Sequence, residues 1–341
     1  MTWPVLNIIQ MRRLKTKEGA AVAKDETSST SGPLAELLGR HLRLSTYLFF
    51  TLATYTLHWP IERAATLEAG WALEVLARNL AIGWLTYGGW HLWLYGGFGV
   101  PSHVSTNELM FLKKFNPTNQ YTDAARHLHR EMIFTSLGFV MSSAYEVGIL
   151  HAWASGKVPM LASFWGAPLY SIFHLLFVAY WRDCHFFFVH RFMHPWFDKK
   201  THTASAWKSW VPDVGQFFYD HVHALHHKSY NPGPFSGLSM HPVEHLLYYT
   251  CTLVCLLCPL HPIHFLFNKF HADLSPLPGH DGYDKPGGGS YFHYLHHAHY
   301  TCNYGTPMVP FDRLFGLYED GSKWDATKKA AAKATTTKKR A

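Results

Sequence analysis

Four stretches of this chain are apolar over lengths near the roughly 20 residues needed to cross a bilayer. They cover about 43–60, 75–97, 132–153 and 160–181; the first is short and the third carries Glu146. A fifth apolar stretch, 246–268, is broken by Pro259 and Pro262. Its first arm of 13 residues would reach only about 20 Å as a helix, too little to cross alone. It is therefore expected to be a re-entrant or interfacial hairpin that returns the chain to the side it left and keeps His241 and His293 in one compartment.

Loop charges orient the spans. The 98–131 loop holds Lys113, Lys114, Arg126 and Arg130, whereas the 61–70 and 154–159 loops hold Arg63 and Lys157. Positive charge stays on the cytosolic side, which puts the N-terminus, the second loop and everything after residue 182 in the cytosol. The expected architecture is an all-α integral membrane protein. Residues 1–40 form a cytosolic segment and flexible linker, and 41–182 carry the four transmembrane helices. Residues 183–321 form a cytosolic histidine-rich helical domain with the re-entrant segment 246–268, and 322–341 a disordered basic tail.

Composition narrows the classes. With 48% hydrophobic residues the chain can bury a large core, which excludes a disordered protein, and five cysteines exclude a disulfide scaffold. Cys251, Cys255 and Cys258 include a CxxC spacing, but no second cysteine pair accompanies it, so these read as small apolar residues on an embedded helix. Of the net charge of +7, residues 323–341 contribute +6. The basicity therefore belongs to a tail without a nucleic-acid-binding signature, and no nucleic-acid partner is expected. The closing Lys338-Lys339-Arg340-Ala341 resembles the dilysine retrieval signal of endoplasmic-reticulum membrane proteins.

The 26 histidines need their own explanation, and 18 of them lie at or after His185. They form spaced boxes: His190 and His194, then His223, His226 and His227, then His293, His296 and His297. On a helix, positions i, i+3 and i+4 share one face, so each HxxHH box is expected to aim three imidazoles at one point. These three boxes supply eight nitrogen ligands, more than one structural zinc uses and suited to two metals with open positions. Neutral imidazole binds iron, zinc and copper alike, so spacing leaves the metal open. Isolated histidines near the spans, His58, His91, His151 and His174, are not counted as ligands, and His202, His221 and His299 are left open.

In these residues the chain resembles the fatty acid hydroxylase/sterol desaturase superfamily of membrane di-iron oxygenases, over about 165–320. The resemblance rests on Asp183 seven residues before the HRxxH box and on the HxxHH box running into KSYNPGP. It continues through SMHPVEH (239–245) and HYLHH (293–297), leading into CNYG (302–305) and DRLFG (312–316). It implies a metal-ligand set of His190, His194, His223, His226, His227, His271, His280, His293, His296 and His297, the last box being preceded by the His271/His280 pair. Asp183 and Glu244 are possible partners for the far ring nitrogens of those ligands, and His185, His241 and His245 are further candidates around them. One departure is an insertion between His194 and His223, roughly 197–215, that contains Lys199, Lys200, Trp207, Lys208 and Trp210. Trp and Lys suit a headgroup region, so it reads either as a membrane-contacting flap or as a plain surface insertion.

The function this implies is O2-dependent oxidation of a lipid, by hydroxylation or desaturation of a sterol or related lipid, at two iron ions cycling between Fe2+ and Fe3+. Phe186, Phe187, Phe188, Tyr291, Phe292 and Tyr294 stand beside the boxes as candidate pocket walls. No flavin or nicotinamide fingerprint is present, and the PGGG at 286–289 lacks the histidine of a cytochrome b5 haem motif. The resemblance therefore implies an external donor such as cytochrome b5 and its reductase. The expected location is the endoplasmic-reticulum membrane, with both termini cytosolic. Squalene epoxidation within the same superfamily is an alternative, as is metal transport or storage. Transport is disfavoured because the boxes flank the spans rather than line them.

Overall fold

A computed structural model of the chain describes residues 33–96, 113–115, 121–197, 211–284 and 289–324. The N-terminal 32 residues, most of the 197–215 insertion with its Lys and Trp residues, and the tail after Trp324 lie outside the described residues. The fold is helical. Helix α1 spans Pro33–Leu57; α2, Ala69–Gly83, runs through a π-turn at Trp84–Gly88 into α3, Gly89–Tyr95. Helices α4 (Ala124–Ala154) and α5 (Pro168–Phe192) are the long pair. After α6 (Val214–His221), 3-10 turns at His223–Lys228 and Pro234–Leu238 lead into α7 (Pro242–Tyr249). A 3-10 stretch, Thr250–Leu256, and then α8 (Pro262–Leu274), α9 (Pro276–His280), α10 (Ser290–His299) and α11 (Phe311–Leu314) complete the chain. Among the described residues the sheet structure is a two-residue antiparallel ladder, Lys113–Lys114 on Tyr283–Asp284.

By length and apolarity α4 and α5 could each cross a membrane, which supports two of the four expected spans. The second expected span is divided by the π-turn into α2, of 15 residues, and α3. These helices point large apolar side chains outward, including Phe49, Leu52, Leu73, Leu85, Ile133, Leu137, Leu169, Ile172, Phe173 and Leu176.

Their inner faces enclose α8, in which nearly every residue is buried. Helix α8 packs on α1 and α5, and α2 packs on α4 where Gly83 leaves room for the Phe139 ring.

The 246–268 stretch folds as a helical hairpin. Its prolines act as predicted: Pro259 falls in the break, and Pro262 opens α8, with His261 Nδ1 accepting from the Ile263 N–H. Helix α7 and the following 3-10 stretch, of 8 and 7 residues, together reach about 26 Å, because 3-10 geometry rises about 2 Å per residue. The arm is thus longer than a pure α-helix over 246–258 would be. Its tip meets the α4–α5 loop and the first turn of α5: Leu161 N–H donates to Leu260 O (3.1 Å) and Tyr170 Oη to Pro259 O (2.9 Å). The chain then returns along α8 to the histidine end.

Candidate metal centre

Nine histidines converge at one end of the bundle in two adjacent, fully buried sets. One contains His190, His194, His223, His227 and His296; the other contains His226, His280, His293 and His297. His190 ends α5 and His194 lies just beyond it, where they point into the same set as expected for i, i+4.

The HxxHH boxes do not aim three rings at one point, as the spacing had suggested. In each, i+3 and i+4 diverge, so His223 and His227 serve the first set and His226 the second. Likewise His293 and His297 serve the second set while His296 reaches the first. In the α-helical box of α10, i+3 and i+4 sit about 100° apart, straddling i, which lets it bridge two neighbouring sets; the 223–227 box divides in the same way within a 3-10 turn.

The ring nitrogens facing outward have defined partners. His190 Nδ1–H donates to Tyr304 O (2.5 Å), His296 Nδ1–H to Cys302 O (2.7 Å), and His280 Nδ1–H to Pro276 O (2.8 Å). His223 Nδ1–H donates to Glu244 Oε1 (2.7 Å), the partnership expected of Glu244. Each bond fixes the tautomer and leaves the Nε2 lone pair facing inward.

There the lone pairs crowd together. His190 Nε2 is 3.0 Å from His223 Nε2, His296 Nε2 is 3.2 Å from His227 Nε2, and His280 Nε2 is 2.9 Å from His293 Nε2. Two nitrogens bound at right angles to one metal at about 2.1 Å would stand about 3.0 Å apart, so this spacing fits coordination, whereas bare lone pairs at that separation repel. Buried nitrogens with no partner, His194 Nδ1, His226 Nδ1, His227 Nδ1 and both nitrogens of His297, show the same shortage of protein donors and acceptors.

The electrostatics suit metal ligation. Burial pushes His223 down to about 3 and His280 to about 4. Burial, then the neighbouring imidazoles, hold His226, His227, His293, His296 and His297 well below the usual histidine range. All are therefore neutral donors at physiological pH. Burial drives the Glu244 carboxyl well up, and a cation on His223 Nε2 would offset the cost of keeping it ionised.

Sequence reasoning missed the work of the CNYG and DRLFG segments. Asp312 accepts from the Tyr304 and Gly305 N–H groups (2.7 and 2.8 Å), and Asn303, in the left-handed region at φ 56°, bonds to Phe292 O, Glu319 O and the Glu319 N–H. The loop so fixed presents the carbonyls of Cys302 and Tyr304 to His296 and His190. At Gly305 a Cβ would lie 2.8 Å from Asp312 Oδ2, so the turn needs glycine there. Replacing Asp312 with alanine should free the Tyr304 carbonyl and lower metal affinity about 10- to 100-fold, with asparagine intermediate. Metal content of each variant at limiting metal measures this; wild-type retention in the alanine variant would refute the positioning role.

The remaining candidates lie elsewhere. His271 joins neither set; it stacks on Tyr47 (4.9 Å) inside the bundle, because the chain ends α8 and restarts at Pro276 between His271 and His280. Asp183 pairs with Arg182 (3.0 Å) rather than with a clustered histidine. His185 bonds to Thr250, His241 caps α7, and His245 bonds to Phe134 O. His221 bonds to Phe217 O and His299 stacks on Trp324.

Beside the two sets lies a cavity of about 260 Å³. His190, His223, His226, His280 and His293 form one end, and Phe186, Phe292, Met240 and Met308 are among its walls. Phe187 packs instead on Phe311 and Phe315, Phe188 is exposed, and Tyr291 and Tyr294 pack on Phe115. The cavity reaches Leu44 and Tyr47 of α1 and Leu176, Ala179 and Tyr180 of α5. Leu176 and Tyr180 are 63% and 54% exposed, so it opens sideways between these helices.

Known proteins with related sequences bear on this all-helical bundle with its paired histidine sets beside a cavity. Residues 175–317 match the fatty acid hydroxylase family, and the matched region contains all nine clustered histidines. The chain is 34% identical over 122 residues to a Delta(7)-sterol-C5(6)-desaturase of Nicotiana tabacum, covering 32% of this chain and 43% of that protein. It is 30% identical over 115 residues to a Delta(7)-sterol 5(6)-desaturase of Gibberella zeae, covering 31% and 32%. It is also 27% identical over 145 residues to sphinganine C4-monooxygenase 2 of Arabidopsis thaliana, covering 39% and 49%. The matches thus span between about a third and a half of these relatives. No solved structure gives a significant match.

Proposed function

We propose that this chain is a membrane-bound, O2-dependent di-iron oxidoreductase that hydroxylates or desaturates a sterol or chemically related lipid. One observation carries the reading: two buried, neutral, all-histidine sets end an apolar cavity that opens sideways between helices. Sterol desaturases and a sphinganine hydroxylase among the relatives support the substrate class.

The five-histidine and four-histidine sets would each hold one iron, together supplying O2 reduction and the oxidation of an unactivated C–H bond. The protein's own part is positional. Glu244 and the carbonyls of Cys302, Tyr304 and Pro276 hold the imidazoles in one tautomer and direction. Phe186, stacked on His190 (5.0 Å), Met240 and Met308 hold the apolar chain against the ligand end and keep water from it.

The outward apolar side chains of α1, α2, α4 and α5 support four membrane-embedded helices, with the α7–α8 hairpin entering from the histidine side. The loop charges support a cytosolic position for that side, where cytochrome b5 and its reductase would deliver electrons.

Metal analysis of protein expressed with ample iron and kept anaerobic should find about two irons per chain. Lipid profiles of yeast strains lacking single sterol-pathway oxidases, each expressing this chain, should show restoration of one missing product. Iron near zero, or profiles unchanged in every strain, would overturn the reading.

A further inference from the structure

His271 is buried, lines the cavity and has no bonded partner at either ring nitrogen. Its Nδ1 is enclosed, and its Nε2 stands 3.9 Å from Asp183 Oδ1, beyond hydrogen-bond distance. Ser275, one turn further along and also lining the cavity, has an enclosed hydroxyl without a partner. An uncompensated polar group in an apolar cavity is costly, so these atoms are built for something that enters it.

An oxygen about 2.8 Å from both His271 Nε2 and Asp183 Oδ1 fits across the 3.9 Å gap. The surroundings select its chemistry. An anion would meet the Asp183 carboxylate, and a cation would meet Arg182, which is bonded to Asp183 and Tyr248 Oη, and Arg43 on the same cavity wall. What remains is a neutral group that both donates and accepts: its O–H donates to Asp183 and its oxygen accepts from His271 Nε2–H.

We propose, resting on the lipid-oxidase reading above, that His271 and Asp183 form a hydroxyl-recognition site that orients an alcohol-bearing lipid in the cavity. The site also sets a ruler. Asp183 and His190 lie seven residues apart on one face of α5, about 10 Å along its axis, with Phe186 between them. The oxidised carbon therefore lies within about 10 Å of the carbon bearing the hydroxyl. A hydrocarbon such as squalene would leave the His271 ring without a partner.

The test is equilibrium binding to the full-length, iron-loaded protein in detergent, using two matched pairs: cholesterol with its methyl ether, and 1-octadecanol with 1-methoxyoctadecane. In at least one pair the alcohol should bind at least about tenfold tighter than the ether. His271→Leu should bring the alcohol down to the level of the ether with iron content unchanged, and His271→Gln, which keeps a donor, should retain part of the preference. Equal binding of alcohol and ether by the wild type would overturn the hydroxyl site and leave the di-iron oxidase standing. Loss of iron in both His271 variants would also overturn it, making His271 a ligand. Failure of all four probes to bind an iron-loaded protein would count against both readings.

Discussion

Alanine at His226 and His227 together should abolish O2-dependent product formation, a loss of at least about a thousandfold, while leaving the protein in the membrane. The magnitude follows from how the box divides. His226 belongs to the four-histidine set and His227 to the five-histidine set, so one pair of adjacent substitutions removes a ligand from each. Single variants separate the two. His226→Ala leaves all five histidines of the other set in place, and metal content should fall toward one per chain. His299→Ala, which removes a ring stacked on Trp324 outside both sets, should change neither metal nor product. Unaltered lipid products in the double variant would eliminate the proposed centre. Product lost equally in His299→Ala would show general damage to the fold instead.

Much of this site was legible because ligand boxes are local. Spacing of three and four residues is enough to bring rings together on one turn, so nine of the ten histidines singled out in the sequence meet in the structure. The tenth, His271, was misplaced for a physical reason. A pair separated by LSPLPG looks like one unit in the sequence, but Pro276 starts a new helix, so His271 and His280 face different surroundings. The backbone carbonyls of Cys302, Tyr304 and Pro276 were invisible in principle, since an acceptor on the main chain carries no residue identity. Asp312 was visible as part of a motif, yet its role depends on the fold bringing it to the Tyr304 and Gly305 amides. The bundle helices were legible as apolar stretches. Their polar contents were not, because each pairing joins residues far apart in the chain.

Glu146 is the clearest instance of that, and it gives the largest expected effect on stability. Alone in the apolar stretch 132–153, it argued against a span. In the bundle it is fully buried and accepts from Arg78 (2.5 Å) and Asn79 (2.9 Å), with Lys269 of α8 at 3.6 Å, itself paired to Asp273 (2.7 Å). One carboxylate thereby ties α2 and α4 to the buried α8, whose C-terminal half carries His271 to the cavity. Removing Glu146 strands the Arg78 guanidinium without a counter-charge, and breaking a buried ion pair in this way typically costs about 3–5 kcal/mol. Glu146→Ala should therefore lower the unfolding temperature in detergent markedly. Glu146→Gln, which can still accept from Asn79, should lower it less. Replacing Glu146 and Arg78 together by leucine should recover part of the loss, because it removes the stranded guanidinium along with the carboxylate. A Glu146→Ala protein as stable as the wild type would mean that Arg78 and Lys269 find water or other acceptors at that depth, and that apolar packing alone holds α8 in place.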